Sequence, residues 1–169
     1  MKKSTLLFAL PLLALACKTP SALDKKIGEM EHRAAIKNVL DTFSILADQK
    51  DVEKQLLLFT ENATVESISN GQPGNVLRGR RQIGDAFSNF LGRFETVYHI
   101  NGQQTVNLND DRATAVSYCL VVLIGDENGK KIKTTLGVYY NDDFVRENGQ
   151  WLIAKRQSNF AWQDKEEME

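Results

Sequence analysis

His99 and Asp48 are the two residues of this chain whose types suit proton transfer. His99 lies in Tyr98-His99-Ile100-Asn101, where a strand would put His99 and Asn101 on one side and Tyr98 and Ile100 on the other. If that side faces a cavity, a near-neutral imidazole there can take or give a proton at physiological pH, and an acid such as Asp48 can orient it. The competing reading is a strand histidine bonded to a neighbour, and a slip of one residue or a bulge would turn the ring outward. Asp48 ends a helical pattern in Ala47-Asp48-Gln49-Lys50-Asp51. A carboxylate there opposes the helix dipole by about 0.3–1 kcal/mol if exposed. Such a local mismatch points to function, although a solvated acid in a helix-ending loop would look the same.

The elements that must position this pair are readable from the apolar spacing. From Glu29 to Ala47, Ile36, Val39, Leu40, Phe43 and Leu46 recur at three- and four-residue steps, which predicts a helix with one buried stripe. Asp51 can cap a short second helix reaching toward Phe59. Ala63 to Ile68 reads as a strand, Ser69 to Gly74 as a turn, and Arg81 to Phe90 as a third helix with Ile83, Phe87 and Phe90 on one side. Four long strands follow: Glu95–Asn109, Arg112–Gly125, Lys131–Arg146 and Gln150–Trp162, joined by hairpin turns of which Asn148-Gly149 is the strongest signal. Helices first and antiparallel strands after is an α+β pattern. In Arg112–Gly125 both faces are apolar, so this strand is expected to be central, with helices on one side and another layer on the other.

The ends of the chain read differently. Lys2 and Lys3 precede an apolar run, Leu6 to Ala16, too short for a permanent bilayer span, so residues 1–16 are expected to be a secretory signal. Cys17 follows Ala14-Leu15-Ala16 directly and is the candidate for lipid attachment, which would hold the protein to a membrane of the cell envelope. Ala14 occupies a place where lipid-attachment signals favour a larger aliphatic residue, so cleavage to a soluble periplasmic or secreted form is the alternative. Residues 17–27, polar and carrying Pro20, suit a tether. The domain proper is expected over 28–163, followed by a frayed acidic tail, 164–169.

Removing Lys2 and Lys3 leaves 19 basic against 22 acidic residues, a formal charge of −3, which gives no reason to expect nucleic acid. Cys119 is then the one cysteine besides Cys17; it reads as a buried, inert thiol, and no disulfide framework is expected. Two scattered histidines without clustered cysteines or carboxylates make no metal site.

Three segments carry a family resemblance: Leu58-Phe59-Thr60-Glu61-Asn62-Ala63-Thr64-Val65; Gly79-Arg80-Arg81-Gln82-Ile83 leading to Phe87; and Tyr140-Asn141-Asp142-Asp143-Phe144-Val145-Arg146 continuing through Gly149, Trp151, Ile153 and Arg156. In this order they resemble the SnoaL-like group of the nuclear transport factor 2-like superfamily, which includes scytalone-dehydratase, steroid-isomerase and polyketide-cyclase relatives. The resemblance implies a cone of three helices against a strongly curved, mostly antiparallel sheet, enclosing a small, largely apolar ligand. It also implies that Asp48 points into the cone and works with His99 in a cofactor-free isomerisation, cyclisation or dehydration. Tyr98, Asn101, Tyr118, Tyr140 and Trp162 are the expected ligand contacts, with Phe160 a further aromatic candidate and Phe43 and Phe59 assigned to the core. Dehydratase-like members carry a second histidine where this chain has Ser117-Tyr118-Cys119-Leu120. The alternative is therefore a non-catalytic ligand-binding or dimerising module of the envelope, and homodimers are common on this scaffold.

Overall fold

A computed structural model describes residues 21–169, so the expected signal, residues 1–16, and Cys17 lie outside the described residues. Helix α1 spans Ala22–Asp48, α2 Val52–Leu56 and α3 Gly79–Leu91. The strands are β1 Phe59–Ser69, β2 Gln72–Arg78, β3 Thr96–Asn109, β4 Arg112–Glu127, β5 Lys130–Glu147 and β6 Gln150–Glu167. They form one open sheet ordered β2-β1-β6-β5-β4-β3, antiparallel except where β1 runs parallel to β6. Two helices precede it, α3 follows the β1–β2 hairpin, and the helices cover one face, which is the α+β cone the sequence predicts.

The buried stripe of α1 is Ile36, Val39, Leu40, Phe43 and Ala47, and it lies against β3 and the sheet interior. Asn70-Gly71, Asn128-Gly129 and Asn148-Gly149 all carry positive φ at both residues. That is the type I′ geometry whose twist matches paired strands. Curvature comes from register shifts, one in β3 between Asn101 and Gln104 and two in the β5–β6 pair, at Gly137/Val138 and Asp143/Phe144. Each inserts a residue on one strand and bends it. One apolar cluster, around Phe59, Phe144 and Ile153, fills one end of the cone. A second, around Val97, Val121 and Leu136, lies on the inner faces of β3, β4 and β5.

Three boundaries differ from the sequence expectation. The stretch read as tether is helical from Ala22, because Ser21 and Asp24 form a capping box: Asp24 N–H donates to Ser21 Oγ at 3.1 Å and Ser21 N–H to Asp24 Oδ2 at 2.9 Å. The acidic tail is paired rather than frayed, with Asp164 opposite Thr135 and Glu167 opposite Ile132. Glu167 and Glu166 meet Lys130 and Lys133 across the ladder, so charge complementarity carries the strand through. The span read as a turn holds the hairpin into β2, whose Pro73 is tolerated because β2 is a sheet edge. β4 is interior to the sheet as expected, yet among the described residues nothing covers its outer face, where Tyr118 is 53 % exposed.

Candidate active site

α1 ends at Asp48 beside β3, the outer strand of the sheet, whose free edge has no strand to pair with. Asp48 fills that role locally. Its Oδ2 accepts the His99 backbone N–H at 3.2 Å, and its Oδ1 lies 2.6 Å from His99 Nδ1. A carboxylate disfavoured by the dipole is thus held by two donors. The bulge that could have turned His99 outward begins after Asn101, so His99 keeps the inward phase. With Nδ1 engaged by the acid, Nε2 is the ring nitrogen left for an occupant.

Burial lowers the His99 pKa below its ordinary 6.5; the hydrogen bond and charge of Asp48 oppose this, and Arg156 adds to the lowering. The 2.6 Å contact has the length of an ion pair, but desolvation outweighs the attraction, so the ring at neutral pH is an uncharged imidazole donating Nδ1–H to the acid. That is the state a general base requires. A stability consequence follows. The unfolded chain binds the proton first, so this contribution is complete above about pH 6.5 and is lost as pH falls from there toward the folded pKa. Denaturant titrations at about pH 7.5 and about pH 5.5 are expected to show wild type losing more stability than His99→Gln over that interval. Equal losses would mean that burial does not depress the imidazole.

His99 lines a cavity of about 390 Å³ at the junction of the two apolar clusters. Phe43, Val65, Phe87, Leu136 and Phe160 make much of its wall, while Gln55, Ser67, Ser158 and Tyr140 bring polar atoms to it. Tyr140 is 8 % exposed, and burial first of all pushes its hydroxyl well above the ordinary phenol range, so it is a neutral donor. Behind this wall the guanidinium of Arg156 lies between the rings of Phe43 and Tyr140, 4.1 and 4.3 Å from their centroids.

The expected ligand contacts divide. Tyr140 and Phe160 line the cavity. Asn101 shares the inward side with His99 but does not line it: Nδ2 donates to Leu40 O at 3.2 Å and Asp41 Oδ1 at 3.0 Å, while Oδ1 accepts from Ser44 Oγ at 3.0 Å. It stitches β3 to α1 and so fixes the distance from Asp48 to His99. Tyr98, Tyr118 and Trp162 are not in the cavity; they stand on the outer face, 55, 53 and 52 % exposed. Strand alternation puts Tyr98 opposite His99, and Tyr118 has the outward phase of β4. Trp162 is turned out by the shift that pairs Phe160 with Val138 but Trp162 with Gly137. Its indole covers that glycine so closely that an added Cβ would lie 2.0 Å from Nε1. Cys119 is buried as expected, its thiol pushed up to about 11 by desolvation. His32, on α1, accepts from Trp151 Nε1 at 3.3 Å, outside the cavity lining.

Gln55 is a lining residue that sequence reasoning missed. The five-residue α2 is too short to show a periodicity that would mark its buried side, and the apolar Leu57 is 61 % exposed while the polar Gln55 is 1 % exposed. The buried pair Asp142–Arg156 was visible only as two letters of a family pattern, since nothing in sequence spacing says that residues fourteen apart face each other across a hairpin.

An uncharacterized protein of Mycobacterium tuberculosis is 28 % identical over 133 residues, covering 77 % of this chain and 86 % of its own. Among solved structures, a candidate scytalone dehydratase from Novosphingobium aromaticivorans superposes with a TM-score of 0.70 at 20 % identity, over 87 % of this chain and 93 % of that one. A hexachlorocyclohexane dehydrochlorinase, LinA type 2, does so with 0.71 at 15 % identity, over 83 % and 93 %. At these identities the structures attest the fold alone. The family profile of the SnoaL-like domain matches residues 28–157, the span that contains both members of the Asp48–His99 pair and all of the cavity lining except Ser158 and Phe160, and the chain belongs to that family.

Proposed function

We propose that the protein binds a small, largely apolar molecule in its cone and moves a proton on it without a cofactor. The observation that carries this is a neutral imidazole, anchored by Asp48, on the wall of a cavity otherwise mostly apolar. His99 Nε2 takes a proton from carbon, and the electron pair left behind either forms a double bond as a β substituent departs or moves into an adjacent carbonyl, whose oxygen Tyr140 can stabilise. In an isomerisation the imidazolium returns the proton to a second carbon. The names of the two structural neighbours, dehydratase and dehydrochlorinase, both denote eliminations, which supports this class. The cavity volume falls at the small end of ligand sites.

Export belongs to the same proposal: cleavage before Cys17 and lipid attachment there would place the domain at the envelope, and mass spectrometry of the mature N-terminus in the native host tests it. A second reading, a non-catalytic binding or dimerising module, draws on the exposed aromatic strip of Tyr98, Tyr118 and Trp162 and on the single histidine of the lining.

Thermal-shift screening of aromatic, alicyclic and steroid-like compounds, followed by solvent-deuterium incorporation into the carbon-acid hits, separates the two. Hits that gain deuterium with wild type and not with His99→Gln are expected. Hits that bind but neither exchange nor turn over would leave only the binding module.

A further inference from the structure

Gln55 is a buried polar side chain of the cavity wall that the proposed proton transfer does not use. Its side chain is 1 % exposed and lines the cavity. Nε2 donates to Phe43 O at 3.1 Å, and because a carbonyl can only accept, that bond fixes which edge of the amide faces α1. Oε1 is then buried without a hydrogen-bond partner among the described residues. An orphaned amide oxygen is costly in an apolar wall unless something bound there donates to it.

We infer that the Gln55 carbonyl oxygen receives a hydroxyl of the bound molecule, so that the ligand class is neutral, largely apolar alcohols or phenols. This rests on the cavity being a ligand site, as proposed above. The other polar groups of the lining are less selective: Ser67 and Ser158 can donate or accept by rotating, and the Tyr140 hydroxyl donates as well. Gln55 Oε1 can only accept, and it carries no formal charge of its own. An ammonium would be buried there without a counter-charge on Gln55, and a carboxylate would bring oxygen against oxygen. A neutral O–H avoids both.

Matched alcohols and methyl ethers test this directly, for example 2-naphthol with 2-methoxynaphthalene and borneol with its methyl ether, titrated calorimetrically into the mature chain. At least one alcohol is expected to bind wild type about tenfold or more tighter than its ether, the usual scale for leaving a buried acceptor unmet. In Gln55→Met, which keeps length and volume, that ratio is expected to fall toward one through loss of alcohol affinity while the ether binds as before. The Phe43 carbonyl, in mid-helix, keeps its own ladder bond in the variant. Equal binding of alcohol and ether by wild type, or a preference that survives in Gln55→Met, overturns the inference and leaves the cavity reading standing. Failure of both members of every pair to bind overturns the cavity reading and this inference together. The wild-type ratio decides by itself should Gln55→Met not fold.

Discussion

Asp142→Asn is expected to lower folding stability by about 3–5 kcal/mol, the scale for uncoupling one partner of a buried ion pair. Arg156 Nε and Nη2 donate to the two Asp142 oxygens at 2.8 and 2.7 Å, with both residues 2 % exposed or less. An asparagine fits the space but carries no charge: its oxygen can accept one guanidinium N–H while its NH2 opposes the other, so the cation is left in the interior without a counter-charge, beside the faces of Phe43 and Tyr140. A domain of this kind has about 5–15 kcal/mol in total, so the variant would melt far earlier or fail to accumulate. The double change Asp142→Leu with Arg156→Met removes both charges and is expected to cost much less than the single one. Urea midpoints of the three proteins check this; a double variant as damaged as Asp142→Asn would mean that geometry rather than charge is the cause. Because Arg156 backs two residues of the cavity wall, Asp142→Asn should also weaken ligand binding.

What the sequence made legible follows from short-range physics. The stripe of α1 and the three Asn-Gly turns depend on periodicities of a few residues, and the structure has them where the pattern puts them. His99 was placed relative to Tyr98 by alternation alone. That it faces inward, however, depended on the bulge in β3 falling beyond Asn101 rather than before His99, which no spacing discloses. Trp162 shows the converse, because a shift at Gly137/Val138 reverses the phase of a strand that had been read as continuous. Tyr118 was assigned to the cavity for its chemistry although β4 alternates without interruption, with Cys119 inward. Composition chose the residue there, and parity would have chosen otherwise. Gln55 and the pairing of Glu166 and Glu167 with β5 are tertiary facts, settled by what lies opposite rather than by what lies adjacent.

The largest functional effect expected is from the Asp48–His99 pair. His99→Gln is expected to reduce proton transfer by about 100- to 10,000-fold with little change in ligand affinity, since the glutamine fills similar space but has no base. Asp48→Asn should fall in the same range by another route. The asparagine carboxamide can present its NH2 to Nδ1, which turns the imidazole toward the tautomer with hydrogen on Nε2, the wrong atom for a base. It also removes the influences that raise the His99 pKa, leaving burial less opposed. The acid limb of the rate profile, already below 6.5 in wild type because burial lowers the pKa, should therefore move to still lower pH in Asp48→Asn while the plateau drops. A purely structural role for Asp48 would lower the plateau through loss of folded protein and leave the limb in place. Measuring kcat and KM for one exchanging substrate across pH, on protein shown to be folded at each pH, distinguishes the two: a limb that stays put or moves upward would remove Asp48 from proton transfer and leave it as the clasp between α1 and the free edge of β3.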